Sequence, residues 1–130
     1  TDVTAVDIDE KAVELAKKKG IKAIVSDLFE NIKGKFDVII FNPPYLPKDE
    51  NETDEDARAL SGGKKGNELI KRFLPDAKKH LEKNGIILIV YSSLTPDVDK
   101  IAGKNGFILE VLEKEKHFFE ELIVSLLRIS

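Results

Sequence analysis

The sequence predicts an α/β fold on a mostly parallel β-sheet, with an antiparallel hairpin at its C-terminal end. Short apolar runs typical of buried strands alternate with segments of helical periodicity, and this alternation favours a parallel sheet with helical crossovers. The last two apolar runs, 107–112 and 122–129, are joined by a short charged connection, which predicts the hairpin. The 130 residues form a single expected domain, 1–130, long enough to bury a core.

The first elements form a strand–helix–strand unit. Residues 3–6 are a β-prone run that ends at Asp7. Asp9 is placed to cap a helix, and Gly20 is a natural residue to end it. Residues 21–25 then predict a second strand.

The middle of the chain predicts a buried strand, a long loop and a helix. Residues 36–41 are almost wholly apolar, which is typical of a parallel strand covered on both faces. Two prolines end this strand, because proline cannot continue a ladder. Residues 46–66 predict a long loop, and a helix with Pro75 inside it follows over about 67–81.

The last third predicts a turn at Asn84 and Gly85, a buried strand over 86–90 and a short helix over 96–105 before the hairpin. Together with the earlier elements, this gives a parallel sheet with one antiparallel edge.

Composition excludes several classes of protein. The net charge of −3 and the mixed charges give no basic footprint for a nucleic acid. There is no Cys, and His80 and His117 lack a third ligand, so no metal site is expected. No apolar run reaches the ~20 residues of a membrane span, so we expect a cytoplasmic protein with no membrane partner. The chain has no Met and starts at Thr1 inside a strand, so we expect it to be N-terminally incomplete.

Polar residues follow the predicted strands at their carboxyl ends, where open α/β sheets bind ligands. These are Asp7, the pair Ser26 and Asp27, and Asn42. Each acid also has a purely structural interpretation. Asp7 could cap the next helix, and Asp27 could form a turn, without either binding a ligand.

In this order of elements, the chain resembles the class I, Rossmann-like S-adenosylmethionine-dependent methyltransferases. The best segments are Val6 to Asp9, Ser26 to Phe29, Phe36 through Pro47, and Ser61 to Gly63 leading to Asn67 to Ile70. Within that fold these segments resemble the HemK/PrmC family of glutamine N5-methyltransferases. The stretch Arg72 to Pro75, followed by Leu81 and Gly85, resembles the compact archaeal and eukaryotic branch of that family. The resemblance implies methylation of the Gln in the Gly-Gly-Gln loop of a translation release factor.

The resemblance implies a set of residues that bind S-adenosylmethionine. Asp7, with Ile8 beside it, would accept hydrogen bonds from the ribose diol. Asp27 would accept from the adenine amino group, with Leu28 along the ring. Asn42 completes this set.

The chain departs from the family in one respect. No G-x-G-x-G loop occurs in it, although that loop and its strand cradle the methionine part of the cofactor in the family. The absent strand would lie between the strands that end at Asp7 and Phe41, so we expect an interrupted sheet.

The motif Asn42-Pro43-Pro44-Tyr45 predicts a planar nitrogen as methyl acceptor. The lone pair of such a nitrogen is delocalised, so the site must hold the NH2 group with two acceptors. The Asn42 side-chain oxygen and the Pro43 carbonyl can do this, because Pro44 and Pro43 fix the backbone and Tyr45 can stack on the planar group. Catalysis is then mostly positioning.

Two other functions remain open at this point. The same motif serves adenine-N6 and guanine-N2 methyltransferases, which stack flipped bases on aromatic side chains. The acids over 49–56 disfavour a nucleic acid, because they repel phosphates. A chain without the glycine-rich strand could also be a non-catalytic scaffold or fragment.

The archaeal and eukaryotic branch also implies a partner, a small zinc-binding activator subunit that docks by sheet extension. An exposed strand over 21–25 would be its docking edge.

Overall fold

The computed structural model describes residues 2–43 and 66–130 of the chain. The chain divides into two compact units, Thr1–Gly34 and Lys35–Ser130. The first unit contains β1 (Thr4–Asp7), α1 (Glu10–Lys18) and β2 (Lys22–Val25).

The first unit is the predicted strand–helix–strand unit. β1 and β2 pair in parallel, from Thr4 opposite Lys22 to Asp7 opposite Val25. Asp9 caps α1 as predicted, since its carboxylate accepts a 2.9 Å hydrogen bond from the Lys11 amide. The unit therefore holds the carboxyl ends of two neighbouring parallel strands side by side.

The second unit is a four-stranded sheet with two helices. Its elements are β3 (Phe36–Phe41), α2 (Glu68–Lys79), β4 (Leu81–Ser92), α3 (Val98–Lys104), β5 (Phe107–Lys116) and β6 (Glu121–Ile129). The strand order is β3-β4-β6-β5. β3 runs parallel to β4, whereas β6 is antiparallel to both β4 and β5. The predicted parallel sheet with a C-terminal antiparallel hairpin is confirmed.

One face of this sheet packs on α2. The Phe73 ring stacks on the Phe41 ring at the end of β3, with centroids 3.8 Å apart and planes 9° from parallel. The buried apolar side chains of α2 and of the strands form the core, which includes Ile70, Phe73, Leu74, Ala77, Ile87, Ile89 and Leu127. Burying each large side chain stabilises the fold by roughly 1.5–3 kcal/mol, so this packing fixes α2 beside the end of β3.

The predicted turn at Asn84 and Gly85 is a bulge inside a longer strand. Phe36 pairs with Leu81 and Val38 pairs with Ile86, so five steps along β4 oppose two steps along β3. Asn84 adopts a left-handed φ of 68°, which asparagine tolerates better than most residues. The helix predicted to reach residue 81 therefore ends at Lys79, because β4 begins at once.

β3 differs from its prediction in one respect. Val38 and Ile40 are 51% and 72% exposed, so the face that carries them is not covered as we expected. Within the described residues, β1 pairs only with β2 and β3 pairs only with β4. The described strands therefore form two separate sheets, one in each unit.

The described helices are too short or too polar to cross a lipid bilayer.

We expect Gly85→Ala to destabilise the second unit by about 1–3 kcal/mol. A Cβ atom at Gly85 would lie 2.7 Å from the Leu81 Cδ1 atom and 2.9 Å from the Glu82 carbonyl oxygen, so backbone must shift. Gly103→Ala is the matched control, since a Cβ there meets nothing within 4 Å. Urea unfolding should show a loss only for Gly85→Ala, and equal effects of the two substitutions would contradict the packing described for the bulge.

Candidate functional site

The two acids predicted to bind the cofactor follow adjacent strands of the first unit. The Ser26 amide donates a 3.0 Å hydrogen bond to the Asp7 carbonyl, which holds the ends of β1 and β2 together. The Asp7 Oδ1 atom accepts from the Asp9 amide at 2.9 Å. The side chain of Asp7 is exposed and that of Asp27 is partly exposed, so both can reach a ligand.

Ser26 organises the turn after β2, a role that the sequence pattern did not reveal. Its buried hydroxyl donates to the Leu28 carbonyl at 2.8 Å and accepts from the Asn31 amide at 2.9 Å. The Asn31 side chain also donates to the Val25 carbonyl at 2.9 Å. A serine directly after a strand is a turn-forming signal, but its partner five residues later could not be read from the pattern.

This turn holds Leu28 in an unusual conformation. Leu28 has a φ of 56°, and a non-glycine residue pays roughly 1–2 kcal/mol for the left-handed region. The hydrogen bond from Ser26 to the Leu28 carbonyl helps to maintain it. Backbone strain of this kind clusters at ligand sites, which makes this turn a candidate for binding.

Asn42 and Pro43 leave the carboxyl end of β3 in the second unit. Asn42 is exposed and Pro43 is buried. Phe41 pairs with Ile89, so the two residues after β3 run beside the last residues of β4. Pro44 and Tyr45, the other predicted catalytic residues, lie outside the described residues.

The end of β4 is tied to the start of β6. The fully buried Ser92 donates a short hydrogen bond from its hydroxyl to the Glu120 carboxylate, and the same hydroxyl accepts from the Leu94 amide at 3.0 Å. The Ser93 amide donates to the Glu121 carbonyl at 2.8 Å. The hairpin of β5 and β6 therefore fixes the carboxyl end of β4, which lies at the same end of the sheet as Asn42.

Tyr91 packs into the core next to this end of the sheet. It is 6% exposed, and its hydroxyl lies 2.8 Å from the Ser125 hydroxyl on β6. Burial raises the pKa of Tyr91 above its ordinary value, against the opposing effect of the Ser125 hydrogen bond. Tyr91 is therefore part of the core of the second unit.

Asn67 also lies at this end of the second unit. Its side chain does not cap α2 but donates from Nδ2 to the Pro96 carbonyl at 2.9 Å, which joins the start of α2 to the loop after β4. Among residues 2–43 and 66–130, no cluster of three His, Asp or Glu side chains could hold a metal ion.

The structure thus groups the predicted residues by unit. Asp7, Ile8, Asp27 and Leu28 belong to the first unit, and Asn42 and Pro43 belong to the second. Each group lies at the carboxyl ends of parallel strands, which is where this class of sheet binds ligands.

Comparison with known proteins identifies one family. The methyltransferase small domain family matches residues 1–119. An archaeal relative from Methanocaldococcus jannaschii, whose name assigns it provisionally to the protein N5-glutamine methyltransferases, is 42% identical over 94% of this chain. The chain covers 67% of that protein.

Bacterial relatives are longer. A ribosomal protein uL3 glutamine methyltransferase from Francisella tularensis is 37% identical over 68% of the chain, and a release factor glutamine methyltransferase from Borreliella burgdorferi is 40% identical over 64%. The chain spans about a third of each, 33% and 34%.

Among solved structures, the chain is similar to the Mtq2–Trm112 complex of E. cuniculi, which methylates the translation termination factor eRF1. The likeness has a TM-score of 0.77 at 24% identity and covers 99% of this chain and 73% of that one. It shows the Rossmann-like fold of the class I methyltransferases.

Above about pH 10, we expect the stability of the fold to fall in part through Tyr91. Its pKa is raised in the folded state, so the unfolded chain loses the proton first and ionisation favours unfolding. Tyr91→Phe should remove this component, and at neutral pH it should cost about 1 kcal/mol because Ser125 loses a partner. Urea unfolding of both proteins from pH 8 to 11 tests this, and parallel pH profiles would contradict it.

Proposed function

The chain belongs to the methyltransferase small domain family, and from this premise we propose that it transfers a methyl group from S-adenosylmethionine to a glutamine amide nitrogen in a protein. The acceptor that we propose is the Gln of the Gly-Gly-Gln loop of a translation release factor. The names of the archaeal and Borreliella relatives support this acceptor chemistry.

One observation carries the proposal: Asn42 is exposed and Pro43 is buried at the carboxyl end of β3, on a strand that α2 and β4 hold in place. Packing of Pro43 and its locked φ keep the backbone rigid at this point. An exposed amide on a rigid backbone is suited to orient a planar group.

The proposed chemistry is positioning. The Asn42 Oδ1 atom and the Pro43 carbonyl accept hydrogen bonds from the two N–H groups of the substrate amide. The lone pair of the amide nitrogen then faces the incoming methyl carbon. S-adenosylmethionine, when bound, supplies a methyl group on a positively charged sulfur. Asn42 and Pro43 would hold the amide nitrogen in line with that methyl group, and the methylated nitrogen would then lose its proton to water. Because that proton is acidic after transfer, no strong base is needed at Asn42.

The first unit fits the adenosine part of this cofactor. A carboxylate has about four acceptor positions, so the bond from the Asp9 amide leaves Asp7 able to accept from a ribose diol. Asp27 can accept from an exocyclic amino group, and the turn held by Ser26 presents Leu28 beside it. Ile8, which is 49% exposed, would line the same ligand.

A protein acceptor is favoured over a nucleic acid by charge. The chain carries a net charge of −3, and the acids over 49–56 follow the motif closely in sequence. Phosphate contacts dominate the affinity of nucleic acids for proteins, so these acids oppose such binding. The name of the Francisella relative supports a second candidate acceptor, a glutamine in a ribosomal protein, with the same chemistry.

We further propose that β2 docks a second subunit by sheet extension. Within the described residues β2 pairs only with β1, so one of its edges is open. Ile21, just before β2, and Val25, its last residue, are 43% and 37% exposed. An open edge of this kind can accept a strand from a partner. The small partner in the Mtq2–Trm112 complex supports a two-subunit enzyme.

Asp7→Ala should weaken the binding of S-adenosylhomocysteine by at least about 10-fold, because two charge-assisted hydrogen bonds to the ribose are lost. Asp9→Ala is the matched control. It should lower stability by about 1 kcal/mol through loss of the α1 cap but keep the affinity. Calorimetric titration tests both, and equal affinities of Asp7→Ala and the unsubstituted chain would contradict the assigned role.

Asn42→Ala should lower kcat for methyl transfer to a Gly-Gly-Gln protein domain by about 100-fold or more, because the acceptor amide is no longer oriented. Asn105→Ala serves as the control. Asn105 bonds the Ile101 carbonyl next to the start of β5, at the opposite edge of the sheet. Transfer of labelled methyl groups measures both, and full activity of Asn42→Ala would refute the proposed function.

A further inference from the structure

The turn between β5 and β6 presents two aromatic rings to solvent. Phe118 and Phe119 are 92% and 84% exposed, the highest values among the large hydrophobic side chains that the structure describes. Their rings form an edge-to-face pair, with centroids 4.5 Å apart and planes at 88°. Contiguous exposed apolar surface is a feature of interaction sites, whereas apolar residues exposed singly are normal.

Hydrogen bonds fix this turn on both sides. The His117 amide donates to the Glu120 carbonyl at 2.7 Å, which closes the turn. The Glu121 amide donates to the Ser93 hydroxyl at 2.9 Å, and the Ser92 hydroxyl bonds the Glu120 carboxylate. The backbone that carries the two rings is therefore pre-organised, so little ordering is needed when a partner binds.

The turn lies at the same end of the sheet as Asn42, where β3 and β4 have their carboxyl ends. Ser92, at the carboxyl end of β4, pairs with Leu122, and Glu121 pairs with Lys116. The carboxyl end of β3 lies at the same end of the sheet because β3 and β4 are parallel. Neighbouring strands are about 4.8 Å apart, and Phe41 is level with Ile89 and Ser125, which is four residues from the first residue of β6, Glu121. The start of β6 therefore lies roughly 16 Å from the end of β3, about 10 Å across the strands and about 13 Å along them.

We propose that Phe118 and Phe119 form a docking platform for the acceptor protein, which would seat an apolar patch next to its target glutamine on the two rings. This inference rests on the proposed function and adds a second contact to it. Across roughly 16 Å, the contact surface of a folded acceptor, about 800 Å² in a standard interface, can cover both Asn42 and the platform. A short peptide with the same glutamine has no surface to reach the rings.

The charges around the platform favour a protein partner over a nucleic acid. The hairpin over 113–121 carries four Glu, at 113, 115, 120 and 121, against two Lys, at 114 and 116. Exposed aromatic rings can also stack nucleobases, but such platforms are combined with a basic groove for the backbone. The acids here repel phosphates and so oppose a nucleic acid as the occupant of the platform.

The experiment compares a release-factor domain that contains a Gly-Gly-Gln loop with a short Gly-Gly-Gln peptide. Phe118→Ser/Phe119→Ser should weaken calorimetric binding of the domain by at least about 10-fold, since buried aromatic anchors dominate interface energies. It should raise KM for the domain by a similar factor and leave kcat unchanged. Transfer to the peptide should not change. Phe118→Leu/Phe119→Leu should restore part of the affinity.

Ile108→Ser is the matched control, because Ile108 is 44% exposed on the same hairpin but lies at its other end, opposite Arg128. It should bind the domain like the unsubstituted chain. Unchanged affinity in the double Phe variant, or an equal loss in Ile108→Ser, would overturn the docking proposal. So would weaker binding of an adenine-bearing oligonucleotide by the double variant together with unchanged binding of the domain.

The two proposals fail in different ways. If the chain binds the domain through the rings but methylates neither domain nor peptide, the proposed function is refuted and the platform stands. If the chain methylates the domain with the same KM in the double Phe variant, the platform is refuted and the function stands.

Discussion

The parallel pairing of β3 with β4 is the constraint on which the second unit depends. It brings the carboxyl ends of both strands to one end of the sheet. Asn42 and Pro43, after β3, and Ser92, the last residue of β4, lie there. The antiparallel β6 then returns to the same end of the sheet, so the hairpin turn meets the end of β4. The ring of Phe73 on Phe41 secures the end of β3 from one face. One pairing direction thus sets the neighbours of Asn42 and Pro43, the part of the candidate site that the second unit carries.

Much of this fold could be predicted because its signals are local. An almost wholly apolar run with two prolines soon after it defines the bounds of β3, and Asp9 and Gly20 define the ends of α1. The β4 bulge could not be predicted, because Asn84 and Gly85 favour a turn locally and only pairing with β3 extends the strand around them. The exposure of Val38 and Ile40 was missed for a similar reason, since an apolar run does not say whether both faces are covered.

The candidate site divides in the same way. The residue types of Asp7, Asp27 and Asn42, each after a strand, indicate their chemistry without any structure. The residues that support them were not visible in the sequence, because their partners are distant or specific to the turn. Ser26 holds Leu28 in a left-handed conformation, and Glu120 bonds Ser92 across 28 positions of the chain. The position of the turn that carries Phe118 and Phe119, next to the end of β4, follows only from the contact between Ser92 and Glu120.

The most direct test of the central claim is the identity of the methylated atom. The chain would be incubated with labelled S-adenosylmethionine, a Gly-Gly-Gln protein domain and an adenine-bearing oligonucleotide in one reaction, and both products would be analysed by mass spectrometry. We expect N5-methylglutamine in the protein and no label in the oligonucleotide. A methylated adenine with an unmodified glutamine would contradict glutamine as the acceptor.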